Sequence, residues 1–400
     1  MSELFYPHGG GAELATYLHA KLLSERGFRI VVVTNRFDGE PSISKSENMT
    51  IHRLALFQSS ESMKYSTLLR MDVLLSSVIR RLISWADVVY IPRFWFSAIL
   101  LAKAYKKNVV THLHDYIPIC PLANLFDVSK NVACNKKGSV CSQKCIYVYE
   151  RTSNRNLLGA MESTLLNSTF GWFYSRIISL SDAVVCVSKA QKHLILKNHA
   201  ILPSKVYVIY NPLPEITETG LEMQGDDFGY FGGPSYMKGF HVLCKAAAFV
   251  KSIKPVTIHA TKFSNPSKWS ELPNHLGILT YGKLGHEEYR TLYKQIRAVI
   301  IPSVWAEPLP YVVSEAIMSG RIVIASRVGG IPEQVVGCEG TFLFEPGDYK
   351  ALAKDILYVR SLSKEKTVEL GVKNREFIVK KFNNEKIVGE FTDLLKKVIE

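Results

Sequence analysis

Four hundred residues, 47% hydrophobic and 21% charged, make a globular chain with two or three cores of about 150 residues each, which excludes a single small domain. Thinly spread Gly (25) and Pro (17), with 11% aromatic residues, exclude a disordered or collagen-like chain. A formal charge of +13 points toward phosphates, nucleic acid or an anionic membrane surface, and composition does not choose among them.

The chain opens with Glu3 and a Gly-rich turn at Gly9 to Gly11, where a secretory signal needs basic residues and then an unbroken apolar run, so it is read as cytoplasmic. That turn, Pro7-His8-Gly9-Gly10-Gly11-Ala12-Glu13, leads into a helical pattern through Leu14, Leu18 and Leu22. Glycines there let backbone N–H groups approach a phosphate at a helix N-terminus, and a tight structural turn explains them equally well. Leu14 stands in place of the last Gly of G-x-G-x-x-G, and no G-x-x-x-x-G-K-[ST] occurs. Strand-like runs follow at Ile30 to Thr34, Val88 to Ile91, Val109 to His112, Ala183 to Val187 and Val206 to Tyr210, separated by helix-length amphipathic stretches. The longest apolar run, Phe94 to Ala102, is about half of the ~18 residues that cross a bilayer and is followed by Lys103, Lys106 and Lys107.

Asn211-Pro212-Leu213-Pro214 and the acidic run Glu215 to Asp227 form a linker. The strand–helix alternation then restarts at Phe228 to Gly232 and continues through Val256 to His259, Leu279 to Tyr281, Ala298 to Pro302, Ile322 to Ser326 and Phe342 to Phe344. This predicts an α/β protein with two similar-sized Rossmann-like parallel-sheet domains, residues 1–213 and 214–380. Residues 381–400 form an amphipathic helix closing back toward the first domain, with Ile387, Val388, Phe391, Leu394, Leu395 and Val398 on one side. Residues 1–213 carry +11 of the charge and 214–400 only +2.

Ligands of parallel sheets sit at turns beyond the carboxyl ends of strands. Besides the first turn, Gly232-Gly233-Pro234-Ser235-Tyr236-Met237-Lys238-Gly239 qualifies, with Lys238 either a phosphate contact or a solvated surface lysine. The most specific turn runs from Pro302 through Glu307, Pro308, Leu309 and Pro310 to Glu315. Its two glutamates lie eight apart, Glu307 in the turn and Glu315 two turns into the helix. Pro310 suits the first helical position, leaving the N–H groups of Tyr311 and Val312 for an oxyanion.

These motifs resemble the retaining glycosyltransferases of family 4, with the GT-B fold of two Rossmann-like domains facing a central cleft. The resemblance rests on Gly10 to Glu13, Thr111-x-x-His114-Asp115, Val187-Ser188, Tyr210-Asn211-Pro212, Lys238-Gly239, Pro302-Ser303 with Glu307-x7-Glu315, and Gly329-Gly330-Ile331-Pro332-Glu333. It implies a nucleotide-diphosphate sugar donor whose ribose hydroxyls meet Glu315 and whose sugar hydroxyls meet Glu307. The diphosphate meets Lys238, the amides of Tyr311 and Val312 and the backbone at Gly10 and Gly11, within a donor set that includes Gly232, Gly233, Pro308, Leu309 and Pro310. His114 stands near the anomeric centre, so His114, Glu307 and Lys238 are the expected catalytic residues. Charge gained by the leaving diphosphate is stabilised by preorganised donors. No catalytic metal or other cofactor is required, in keeping with a sequence that lacks a D-x-D pair. Two features depart from the family. Gly233 stands where an Arg commonly adds a second diphosphate cation, and Met1 to Phe5 is too short and polar for the strand that should precede Tyr6.

Cys120, Cys134, Cys141 and Cys145 lie in an insertion at about 116–148, and four cytosolic thiols within about 26 residues suggest a structural zinc site, with reduced thiols or disulfides as alternatives. Leu68 to Ile83 and Leu157 to Leu180 combine apolar residues with Arg70, Arg80, Arg81, Arg155 and Arg176. Packed helices explain most of this pattern, and a helix on an anionic membrane face, near a lipid-linked or glycan acceptor, is the other reading. No groove-reading helix or zinc-finger spacing favours nucleic acid. A sugar-nucleotide-binding subunit with weak catalysis, or a nucleotide-sugar epimerase on the same fold, remains the alternative.

Overall fold

The computed structural model describes residues 1–55, 74–134, 143–152, 156–198, 201–215, 222–264 and 274–400. The chain divides into two compact units: Met1–Lys130 with Cys134–Pro212 and Asn384–Glu400, and Leu213–Asn383 with Asn131–Ala133. Among the described residues no helix is long and apolar enough to cross a membrane.

In the first unit, helix α1 (Gly11–Glu25) follows the glycine turn, and Glu13 Oε2 accepts the Gly10 N–H at 2.7 Å. Strand β1 (Ile30–Asn35) pairs in parallel with β3 (Met49–Leu54), which carries the antiparallel edge strand β2 (Ile43–Ser46). Three of the four β2 residues are exposed and every β3 residue is only half-buried, so neither strand left an apolar run to read in the sequence. A second parallel sheet follows the order β4 (Val88–Ile91), β5 (Asn108–Leu113), β8 (Ala183–Cys186), β9 (Val206–Val208). Between β5 and β8 lie the short strands β6 (Phe126–Asp127) and β7 (Val132–Ala133).

Helices α2 (Ser77–Trp85), α3 (Ser97–Ala104), α4 (Gln143–Thr152), α5 (Leu157–Ile178) and α6 (Lys189–Asn198) complete this part of the unit. Side chains of Ser76 and Asn156 cap α2 and α5. In α2, Ile79 and Ile83 are buried while Arg80 and Arg81 are exposed, as expected of a packed amphipathic helix. Residues 68–73 and Arg155 lie outside the described residues.

The N-terminal stub explains the gap between these two sheets. Ser2 N–H donates to Val33 O at 3.0 Å, Asn35 N–H to Glu3 O at 3.2 Å, and the Met1 ammonium to Tyr90 O at 2.7 Å. Met1 to Glu3 therefore bridge β1 and β4, and burial lowers the pKa of the Met1 ammonium to about 5. Beyond the stub opens an apolar cavity of about 240 Å³, lined by Leu23, Val31, Val33, Val88, Val89 and Leu395.

The second unit is one parallel sheet in the order β12-β11-β10-β13-β14-β15. Its strands are β10 (Asp227–Tyr230), β11 (Ile258–Ala260), β12 (Ile278–Thr280), β13 (Ile296–Ile301), β14 (Ile322–Ser326) and β15 (Thr341–Phe344). Every residue of β13 and β14 is buried, because helices cover both faces of such a sheet. These helices are α7 (Phe240–Lys251), α8 (His286–Gln295), α9 (Tyr311–Met318), α10 (Ile331–Val335), α11 (Tyr349–Ser361) and α12 (Lys364–Lys381). Chain direction across the sheet reverses between β10 and β13, which makes their carboxyl ends the topological switch point.

The last helix, α13 (Asn384–Ile399), belongs to the first unit and buries Ile387, Val388, Phe391, Leu394 and Leu395. Phe391 meets His19 edge-on at 4.9 Å between ring centroids.

A fusion that adds about five alternating Val and Ile residues ahead of Met1 fills the cavity and replaces the buried ammonium by a peptide N–H. The expected result in scanning calorimetry is a melting temperature raised by about 2 °C or more, and an unchanged or lower value shows that the cavity accepts no strand.

Candidate functional site

In the second unit the loops after β10 and β13 flank the switch point and are locked by backbone contacts. Gly239 has φ +77°, and a Cβ there would lie 1.8 Å from Pro302 O. Gly329 has φ +51°, and its Cβ would lie 2.0 Å from Glu307 O. Only glycine allows such approaches. Val304 N–H donates to Met237 O and Gly330 N–H to Glu307 O, both at 2.8 Å.

The locked loops bring Lys238 and Glu307 together. Lys238 Nζ lies 2.8 Å from Glu307 Oε1, which also accepts from Ser303 Oγ at 2.7 Å, and the ammonium lies 5.2 Å from the Trp305 ring centroid. The Glu307 side chain is 3% exposed and that of Lys238 is 38% exposed, so a buried carboxylate is neutralised by a cation that still reaches the surface. Neither a phosphate contact nor a solvated lysine includes this partner: within the protein Lys238 pairs with Glu307.

Gly232 is hemmed in by Tyr230, whose hydroxyl donates to Gly233 O at 2.8 Å, and Gly233 adopts φ +64°. Pro308 and Leu309 are buried. Pro310 is the N-cap of α9, one place before its expected position, because its ψ of 126° is extended. As a proline it gives α9 no side-chain cap. Since α9 begins at Tyr311, Glu315 stands one turn into the helix rather than two. Burial raises the Glu315 carboxyl above its usual range and Lys262 opposes this. Glu315 in turn raises Tyr289 and Tyr293, after burial, and the Tyr293 hydroxyl is buried without a hydrogen-bond partner. Lys262 and the two tyrosines carried no motif in the sequence; a lysine just beyond a strand end was the only signal for Lys262.

In the first unit a cavity of about 240 Å³ is lined by Gly10, Gly11, Glu13, Arg93, His114 and Asp115, among others. Gly9, at φ +96°, packs against the Glu13 side chain. The Gly10 amide, expected on a phosphate, is committed to Glu13 instead. Arg93 pairs with Glu13, and its Nε lies 3.4 Å from Glu3 Oε1. Burial pushes the Glu3 carboxyl up to about 7 despite that arginine. Sequence reading missed Arg93, which lies far along the chain from both glutamates.

His114 lies beside His112, tilted by 30° with 4.4 Å between centroids, and His112 Nδ1 lies 2.7 Å from the Tyr90 hydroxyl. Burial, with His19 and Arg93 adding to it, lowers the His114 pKa to about 3, so its imidazole is neutral near pH 7, with Nε2 buried and without a partner. Burial likewise lowers His19 to about 3 and His112 well below its usual value.

Of the four cysteines expected to hold a structural zinc, Cys120, Cys134 and Cys145 are described and Cys141 is not. Among the described residues no three His, Cys, Asp or Glu side chains form a metal-binding group. The Cys120 thiol donates to Asn124 Oδ1 at 3.8 Å and that of Cys145 to Phe126 O at 3.7 Å.

Residues 9–214 match the family model Glycosyltransferase Family 4, and residues 225–361 match Glycosyl transferases group 1. The chain is 24% identical over 358 residues to an uncharacterized 42.6 kDa protein in the cps region of Klebsiella pneumoniae, covering 83% of this chain and 86% of that one. It is 26% identical over 311 residues to an uncharacterized glycosyltransferase of Methanocaldococcus jannaschii, covering 70% and 83%. Among solved structures, the sucrose-phosphate synthase of Thermosynechococcus elongatus is similar with TM-score 0.67 and 16% identity, over 98% of this chain and 94% of that one. Anabaena HepE in complex with UDP is similar with TM-score 0.63 and 16% identity, over 99% and 98%. These neighbours have the GT-B fold, which this chain shares.

The buried histidines set the acid response. A histidine whose pKa is lower folded than unfolded takes up its proton only on unfolding, so stability is full above about pH 6.5 and falls toward pH 3, by up to ~1.4 kcal/mol per pH unit for each group. Glu3, raised to about 7, binds its proton in the folded state and offsets one histidine between pH 7 and 4.5. Melting temperature is therefore expected to drop steadily from pH 7 to 5, with a shallower slope in His19→Leu; a flat profile contradicts the buried neutral cluster.

Proposed function

Since this chain belongs to glycosyltransferase family 4, we propose that it moves a hexosyl unit from a nucleotide-diphosphate sugar to an acceptor hydroxyl, with retention of configuration and without a catalytic metal. The observation that carries this reading is the Lys238–Glu307–Ser303 cluster at the switch point, with Glu315 one helical turn into α9. Glu307 accepts hydrogen bonds from hydroxyls of the donor sugar, and Glu315 from those of the ribose. Lys238 lies between a carboxylate it already neutralises and the leaving diphosphate, where the amides at the head of α9 add donors. As the glycosidic bond breaks, negative charge grows on the diphosphate and positive charge on the sugar. Fixed donors answer the first, and the Glu307 carboxylate favours the second. His114, neutral near pH 7, serves the transferred sugar as a hydrogen-bonding group and not as a cation.

The acceptor follows from the first unit. The +11 charge of residues 1–213 exceeds what donor binding asks for, and α5 displays Leu157, Leu158, Met161 and Leu165, each more than half exposed, at helical spacing. Arg151 and Arg176 are exposed near its two ends. An apolar stripe with basic flanks suits a peripheral position on an anionic membrane, on the cytoplasmic face, with a lipid-linked or polysaccharide acceptor.

A panel of sugar nucleotides in EDTA tests the reaction. One donor at 100 times its Kd is expected to add ~2.7 kcal/mol of stability, and its turnover should fall at least ~100-fold in Glu307→Ala. Turnover lost in EDTA, or an inverted anomeric product by NMR, overturns the metal-free or the retaining part respectively. Sedimentation with vesicles tests the acceptor side. Binding to phosphatidylglycerol vesicles should exceed binding to phosphatidylcholine and weaken in Leu158→Glu, and equal binding to both counts against an anionic surface.

A further inference from the structure

A nucleoside diphosphate brings two to three negative charges, whereas the Lys238 charge is already balanced in large part by Glu307 at 2.8 Å. The sequence supplies no cation at position 233. The fold supplies one from the neighbouring strand. Strand β11 pairs with β10 in the register Tyr230↔Ala260, so the turn after β11 runs beside the Gly232-Gly233 turn. Gly233 N–H donates to Thr261 O at 3.1 Å, and a Cβ on Gly233 would lie 2.8 Å from Lys262 O and 3.5 Å from Lys262 Cβ. A side chain at 233 would thus crowd the backbone that carries Lys262.

Lys262 is itself unusual in holding a left-handed backbone, φ +70°, pinned by Lys262 N–H to Gly282 O and Phe263 N–H to Tyr281 O, each 3.0 Å. Such a conformation is costly for a residue with a side chain and is concentrated at functional sites. Burial lowers the Lys262 pKa; Glu315 favours its charged form, while Lys238 and Lys283 oppose it. Like charges on neighbouring turns are relieved by an anion between them.

We propose that Lys262 is the second cation of the donor site, its ammonium meeting the diphosphate of the nucleotide sugar alongside Lys238, in room left by the missing side chain of Gly233. The inference rests on the donor reading above and adds to it a residue that none of the sequence motifs contains.

The test is calorimetric titration of the full chain with UDP, ADP and GDP. In Lys262→Gly, which suits the left-handed backbone and removes the charge, affinity for the nucleotide bound by the parent should fall about tenfold or more while the melting temperature holds or rises. Lys262→Arg should recover most of the affinity, as a purely structural lysine would not require. Lys262→Gly binding within twofold of the parent overturns the assignment and leaves the donor reading standing. A parent that binds none of the three diphosphates overturns the donor reading and this inference together.

Discussion

The second unit depends on one ion pair at the switch point of its sheet. A carboxylate as buried as Glu307 is tolerable only with a cation and a hydrogen-bond donor in contact, and Lys238 and Ser303 meet that demand. They do so because two loops and a helix entrance approach closer than any Cβ would permit, at Gly239 and Gly329. Charge neutralisation and backbone packing are thus one device. Disturbing either glycine moves the loop that carries Glu307, and disturbing Glu307 frees Lys238.

The first unit solves a related problem differently. Glu3, Glu13 and Arg93 form a charged group around the entrance of α1, and Glu13 Oε2 accepts the Gly10 N–H. Next to it burial keeps His114 neutral, so the cavity it lines together with the glycine turn offers polar groups without imidazole charge. The stub Met1 to Glu3 joins its two sheets by three backbone hydrogen bonds.

Much of the fold was legible because parallel strands buried on both faces spell continuous apolar runs. Ile322 to Ser326 matches β14 residue for residue with every residue buried, and Val88 to Ile91 matches β4, which stays apolar throughout although only alternate residues are fully buried. The β2–β3 hairpin was illegible for the opposite reason, since exposed Ser and Lys residues leave no apolar pattern. The first turn of α9 shows the limit at a boundary: two prolines mark the helix start, but only the extended ψ of Pro310 decides which side of it that residue occupies.

The sequence by itself determined the alternation of strands and helices, the Glu307-x7-Glu315 spacing, the glycines flanking Lys238 and the charge asymmetry between the two halves. These are local in the chain, or sums over it. Tertiary structure alone decided that Lys238 neutralises Glu307 across 69 residues, that Arg93 meets Glu13 across 80, and that Lys262 stands beside Gly233. The reason is physical: strand order and register choose which distant turns become neighbours, and the short-range demands of buried charge are met only after that choice is made.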